Sequence, residues 1–227
     1  MLAMIGVIES CDHKNGSGTI VTQTRNVGTF NEVSIGGAFE VQIKMGSAAK
    51  VVIEADDNII DYIEATVKKG QLKISLNDGL SINDAHMKVF ITTTELDLVN
   101  SSASAKVVVL DEMKSDEKVV LKASSGSNIS AAIISPATEA DASSGAEIVV
   151  KGRTKTFKAE SSSGASVKAS ELLSENTIAQ SSSGGSTSVH ASLQLNAKAS
   201  SGGSITYRGE AEAVIKESSG GSITKKD

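Results

Sequence analysis

Ser124-Ser125-Gly126, Ser143-Ser144-Gly145, Ser162-Ser163-Gly164, Ser182-Ser183-Gly184, Ser200-Ser201-Gly202 and Ser218-Ser219-Gly220 carry one tripeptide through the second half of a 227-residue chain. Its glycines, Gly126, Gly145, Gly164, Gly184, Gly202 and Gly220, lie 19, 19, 20, 18 and 18 residues apart. The flanks repeat as well, as Leu121-Lys122-Ala123, Phe157-Lys158-Ala159 and Leu195-Asn196-Ala197. Drift this small marks a structural unit rather than a chance abundance of Ser and Gly.

The unit is too short for helices, because a helical repeat needs about ten or more residues of 3.6 period in each helix. Between markers the residues alternate, as in Ser204-Ile205-Thr206-Tyr207-Arg208 and Ala211-Glu212-Ala213-Val214-Ile215-Lys216. That pattern reads as brief strands separated by corners. In a coil of such strands, each pairs in parallel with its equivalent one turn along, about 4.8 Å away, so like residues stack in ladders. Glycine supplies left-handed backbone at a tight corner, and serines hydrogen-bond turn backbone or stack hydroxyl on hydroxyl. The expected fold is all-β: a right-handed parallel β-helix, or β-solenoid, with roughly nineteen-residue turns and a more irregular N-terminal section. Ser101-Ser102-Ala103 reads as a degenerate earlier copy 23 residues before Gly126, with 111–118 as its extra loop.

Composition agrees with a slender interior. Aromatic residues make up 3%, Trp is absent and Pro occurs once, whereas small and β-branched residues are abundant. A thick core draws on aromatic side chains of roughly 150–250 Å² each; narrow stacked sheets do not. The net charge of −5, without a basic block, makes nucleic acid a poor partner. One cysteine excludes an internal disulfide and a cysteine zinc cage, and His13, His86 and His190 stand far apart, so no metal or cofactor is expected.

Residues 19–99 lack the tripeptide but alternate strongly, as in Phe39-Glu40-Val41-Gln42-Ile43-Lys44 and Met87-Lys88-Val89-Phe90-Ile91-Thr92. They read as half-buried strands. One helix is expected over 57–67, with Ile59, Ile60, Ile63 and Val67 on one face and Asp56 or Asp57 as its cap. Phe30, Phe39, Tyr62 and Phe90 all fall here, which suggests a thicker capping section over the first exposed turn.

At the start, apolar residues 1–8 lead through Glu9 and Ser10 to Cys11, and the chain then turns polar. Ile8, Ser10 and Cys11 resemble the lipobox of a bacterial lipoprotein signal, in which Cys11 would carry the lipid. The organisation expected is a truncated lipoprotein signal and tether over 1–18, then a single β-helix domain over 19–227. Within that domain, 19–99 would cap and 100–227 would repeat.

Phe30-Asn31-Glu32-Val33-Ser34-Ile35-Gly36-Gly37, Phe39-Glu40-Val41, Ile53-Glu54-Ala55-Asp56-Asp57-Asn58, Gly70-Gln71-Leu72-Lys73-Ile74 and the later markers together resemble the GIN domain. This is the head domain of auto-transporter adhesins frequent in Bacteroidetes, and the likeness covers about residues 19–224. It implies a β-helix and an adhesin-like role at the cell surface. It brings no catalytic residues with it.

Three functions follow from these readings. The first is a non-enzymatic, exported protein of the cell envelope or outer surface, lipid-anchored at Cys11, whose sheet faces bind a glycan or a protein. Its only link to a membrane would be that anchor. The second is a polysaccharide lyase or hydrolase of β-helix type. Its candidate carboxylates, Asp141 and Glu147, occur singly, without an acidic ladder in neighbouring turns. The third is an envelope assembly protein that forms homo-oligomers through its last turn or a flat face. Lys225 and Lys226 near the last edge weigh against such strand addition. A nucleophilic reading of the six serines fails for want of a repeating base, and His190 and Tyr207 read as surface positions.

Overall fold

The computed structural model describes residues 12–77 and 80–226. Strands β1 (Asp12–Asn15), β2 (Ile20–Arg25), β3 (Glu32–Gly36), β4 (Glu40–Met45), β5 (Lys50–Asp56), β6 (Ile63–Lys68), β7 (Gln71–Leu76), β8 (Leu80–Asn83) and β9 (Met87–Thr93) form the N-terminal section. Strands β10 (Leu98–Ser102), β11 (Lys106–Lys114), β12 (Lys118–Ala123), β13 (Asn128–Ala142), β14 (Glu147–Ser161) and β15 (Ser166–Ser181) open the repeat section. Strands β16 (Ser186–His190), β17 (Gln194–Ala199), β18 (Ser204–Arg208), β19 (Glu212–Glu217) and β20 (Ser222–Lys225) complete it.

The turns stack into a β-solenoid of two sheets. The first sheet runs β6-β7-β3-β10-β12 and continues through the C-terminal halves of β13, β14 and β15 to β17 and β19. The second runs β2-β5-β9-β4-β11 and continues through the N-terminal halves of β13, β14 and β15 to β16, β18 and β20. All pairing from β3 and β4 onward through the repeat is parallel.

The chain crosses from the first sheet to the second at Ser-Ser-Gly, and the corner needs two residues in left-handed backbone, not one. The second serine has φ between 48° and 52° in all six copies, and the glycine has φ between 72° and 77°. The turn closes from the residue after glycine back to the first serine, as in Ala146 N–H to Ser143 O at 3.1 Å. Positive φ at both central positions is the type I′ arrangement. The N–H of each of the first five glycines then donates to the serine carbonyl of the next corner, as in Gly145 to Ser163 at 3.1 Å. The corners therefore stand in file and are bonded to one another.

A second corner returns the chain, and it is knitted by hydroxyls. Ser135, Thr154 and Ser174 are in register, buried, and placed where β13, β14 and β15 pass between sheets. Ser135 Oγ lies 2.9 Å from Thr138 Oγ1, Thr154 Oγ1 donates to Thr156 O at 3.1 Å, and Ser174 Oγ lies 2.6 Å from Thr177 Oγ1. These bonds satisfy polar groups that burial would otherwise leave unpaired.

Register explains the drifting interval. Between β13 and β14 the pairing keeps a constant offset of 19 from Asn128 with Glu147 to Ala142 with Ser161, skipping only Pro136. The pairing of β14 with β15 slips by one residue after Val149, giving 20. Afterwards Ala169 pairs with Val189 but Asn176 pairs with Gln194, so two residues are lost at the second corner and the interval falls to 18.

Inside, two ladders face one another. The second sheet contributes Val107, Ile129, Ile148, Val167, Thr187 and Ile205, and the first sheet contributes Leu121, Ala140, Ala159, Ala179 and Ala197, all buried and in register. Burying each Val or Ile contributes roughly 1.5–3 kcal/mol, and small partners opposite let the sheets approach.

Four expectations are corrected. The helix over 57–67 is a 3-10 turn, Ile60–Tyr62, followed by strand β6, which pairs antiparallel with β7. Apolar spacing over so short a stretch suits either element, and hairpin pairing decides it. No side chain caps the turn; the Asp56 carboxylate instead accepts from Gly18 N–H at 2.6 Å and His86 N–H at 2.7 Å. The degenerate marker is Ser102-Ala103-Ser104, one residue later than expected. Ala103 and Ser104 have φ of 53° and 65°, and Ser104 N–H donates to Ser125 O at 3.0 Å. The residues expected to form a loop over 111–118 belong mostly to β11 and β12, with the extra length taken up by a bulge between Val108 and Glu112. Finally, Tyr207 is buried rather than a surface position.

Residues 12–19 are docked on the domain. Strand β1 pairs in parallel with β8, and Ser17 Oγ donates to Asp57 at 2.5 Å, while Asn58 Nδ2 donates to Asn15 O at 2.9 Å. Cys11 lies outside the described residues.

Candidate functional site

Alternation turns every second residue of the first sheet outward, and the register sorts these residues into columns. One column is Lys118, Ala137, Thr156, Asn176, Gln194 and Glu212. The next is Val120, Glu139, Lys158, Ile178, Asn196 and Val214. The third is Lys122, Asp141, Glu160, Gln180, Lys198 and Lys216.

The first two columns line a groove of about 620 Å³ beside the hydroxyl corner, within the range of ligand sites, with Phe157 and Leu195 in its lining. A depression of about 300 Å³ continues it over Asp141, Glu160, Gln180 and Lys198 toward the marker corner.

The surface has two chemical zones. Toward the N-terminal end charges neutralise one another: Lys118 Nζ lies 3.3 Å from Glu139 and Lys158 Nζ lies 3.0 Å from Glu160. The hydrogen bond and charge of Glu160, with Glu139 and Asp141 nearby, raise the Lys158 pKa above its ordinary value. Toward the C-terminal end the outward groups are the amides of Asn176, Gln180, Gln194 and Asn196, with Ile178 and Val214 between them, together with the charged Lys198, Glu212 and Lys216. Among the described residues none of these four amides has a hydrogen-bond partner. In contrast, Asn31 is tied to Asp97 at 2.9 Å, Gln71 to Glu32 at 2.9 Å and Asn100 to Ser34 at 3.1 Å.

The six marker glycines lie at the opposite corner and shape the backbone without lining the groove. Asp141 and Glu147 point from different sheets, with a corner between them, and Glu147 is engaged by Lys168. Asp141 instead stands in register with Glu160 and two residues from Glu139, so an acidic cluster does span neighbouring turns, contrary to the sequence reading. Lysines partner its two glutamates. His86 Nε2 lies 2.6 Å from Glu54, and among the described residues no three His, Cys, Asp or Glu side chains are grouped to hold a metal. His190 is half-buried, with its carbonyl accepting from Thr177 Oγ1 at 2.8 Å. No described helix is long and apolar enough to cross a membrane.

The amide columns and the hydroxyl corner were missed from sequence. Their signal was available: Ser135 and Thr154 each fall nine residues after a marker glycine and Ser174 ten, while Asn176 and Gln194 occupy one phase of the repeat.

Solved structures share this architecture. A protein of Bacteroides fragilis NCTC 9343 described as a "putative adhesin" matches with a TM-score of 0.87 at 18% identity, covering 94% of this chain and 100% of its own. One from Parabacteroides distasonis ATCC 8503, described as a "putative lipid binding protein", gives 0.71 at 20% identity, covering 95% and 100%. A "putative adhesin" of Parabacteroides merdae ATCC 43184 gives 0.67 at 18%, again over 95% and 100%. At these identities the likeness establishes the fold alone. No curated protein matches the chain. Residues 29–211 match a family whose description is "Putative auto-transporter adhesin, head GIN domain", and the chain, coiled as its repeat requires, belongs to that family.

Proposed function

We propose that this chain is a non-enzymatic, adhesin-like protein of the cell envelope or outer surface that holds an uncharged glycan in the groove of its first sheet. The observation that carries this reading is the set of four unengaged amides, Asn176, Gln180, Gln194 and Asn196, next to two ion pairs, Lys118 with Glu139 and Lys158 with Glu160. An amide offers two donors and an acceptor, which suits a partner rich in hydroxyls. Adjacent turns repeat those groups about every 4.8 Å, so an extended ligand can be gripped at successive rungs. A protein partner is the weaker reading. Protein interfaces centre on aromatic, Met or Arg anchors, and none of these side chains is outward-facing in the three columns.

Export with a lipid on Cys11 completes the proposal. The supporting feature is the docking of residues 12–19 against Asp56, Asp57 and Asn58, which would hold such an anchor against the solenoid. A diacylglyceryl adduct on Cys11 in envelope protein is the expected mass-spectrometric result; recovery of unmodified protein in the cytosol alone would remove the anchor.

Glycan-array screening followed by calorimetry tests the groove. Neutral oligosaccharides should bind, and Asn176→Ala/Gln194→Ala/Asn196→Ala should weaken binding by about tenfold or more, since each hydrogen bond lost costs roughly 0.5–1.5 kcal/mol. Binding undiminished in that variant, while its melting is unchanged, contradicts the site. Release of shortened or unsaturated oligosaccharides would support cleavage instead.

A further inference from the structure

Open parallel edges invite further strands, yet the outermost turns among the described residues place polar side chains where the interior ladders would continue. On the first sheet, the column through Ala123, Ala142, Ser161, Ser181 and Ala199 is buried in every turn, and its last member is Glu217, which is exposed. On the second sheet, Ala169, Val189 and Tyr207 are buried in one column, and its last member is Lys225. Glu217 turns across the end and accepts from Ile223 N–H at 2.5 Å, while Lys225 Nζ meets Glu210 at 3.0 Å. The other end repeats the arrangement. On β2, Gln23 and Arg25 oppose the buried Ile53 and Val51, and Arg25 Nη2 donates to Ile60 O at 3.0 Å.

We infer that these inward-placed polar residues close the solenoid against end-to-end addition of a second copy, so that partners meet its faces and not its ends. A turn stacked on β19 and β20 would enclose one carboxylate and one ammonium at positions built for Ala and Val. Burying ions costs several kcal/mol each unless pairing and hydrogen bonds are good. The apolar part of that end, with Ile215 45% exposed and Ala213 and Ile223 half-buried, would otherwise be a template for association.

Sedimentation of the full chain at rising concentration tests the closure. The natural sequence should stay monomeric. Glu217→Ala/Lys225→Val, which restores residues found in the same columns, should associate at about tenfold lower concentration or less. Glu212→Ala/Lys216→Ala removes the same charges from outward positions of β19 and should behave like the natural sequence. Far-UV circular dichroism checks folding, and the single variants, Glu217→Ser and Lys225→Val, should show the same trend if the pair unfolds. Folded variants that remain monomeric over that range, or association of the outward control to the same extent, would overturn the inference. So would association of the natural chain that Ile215→Asp abolishes.

Discussion

Strands β13 and β14 lie side by side through fourteen paired residues without a slip, every one of them parallel. Around β5, by contrast, the pairing is antiparallel on both sides, to β2 and to β9, while β3 and β4 are inserted between strands that follow them in sequence. The repeat section packs Ala against Val or Ile on most rungs, with single large side chains such as Phe157, Leu172 and Tyr207 at isolated positions. The N-terminal section buries Phe30, Phe39, Ile59 and Ile60. A repeating unit can use one solution many times because its neighbours are copies of itself. The N-terminal end has a neighbour on one side only, and bulk with antiparallel pairing finishes the sheets there.

If that contrast is right, the two regions should break in opposite ways. Phe39→Ala should be the most damaging substitution, costing about 3–5 kcal/mol in urea unfolding, because a large buried side chain leaves a cavity. In the repeat, added bulk should do the harm: Ala159→Leu should cost about 1–3 kcal/mol, since Ala159 is fully buried between Ala140 and Ala179. An Ala159→Leu that costs nothing, or a Phe39→Ala milder than Ala159→Leu, would contradict the contrast.

The marker itself should be sensitive through conformation rather than space. A Cβ on Gly145 would meet nothing within 4 Å, yet its φ is 72°, so Gly145→Ala should cost about 1–2 kcal/mol. The smallest effect belongs to the outer surface. Lys158 has its pKa raised above the ordinary 10.5, so its contribution is present below that value and is lost as pH rises through the folded value. The difference in Tm between the natural chain and Lys158→Met should therefore be slight at neutral pH, fade above pH 10.5, and shrink with salt.

The repeat was legible because a corner that demands left-handed backbone leaves a mark in sequence. Glycine supplies that backbone, and the spacing from one glycine to the next is the length of a turn. Ser125, Ser144 and their equivalents were less legible: Ser is not a residue that advertises positive φ, yet it adopts it six times here, where the tight turn closes from the residue after glycine back to the first serine. The stretch 57–67 misled for a related reason. Its apolar residues fit a helical stripe, and only the partner β7, paired through Lys69-Gly70 with φ of 52° and 80°, makes it a hairpin. The groove was illegible, since its columns join residues eighteen to twenty apart whose common side depends on register.

Register is therefore what most needs measuring, and disulfide trapping reads it directly. In a Cys11→Ser background, Asp141→Cys/Glu160→Cys places thiols on directly paired residues of adjacent turns, at a separation a disulfide accepts, whereas Asp141→Cys/Lys158→Cys offsets them by two residues. Stacked turns in a nineteen-residue register predict rapid, near-complete crosslinking of the first pair and little of the second under mild oxidation. Equal crosslinking of both pairs, or preference for the offset one, would contradict it.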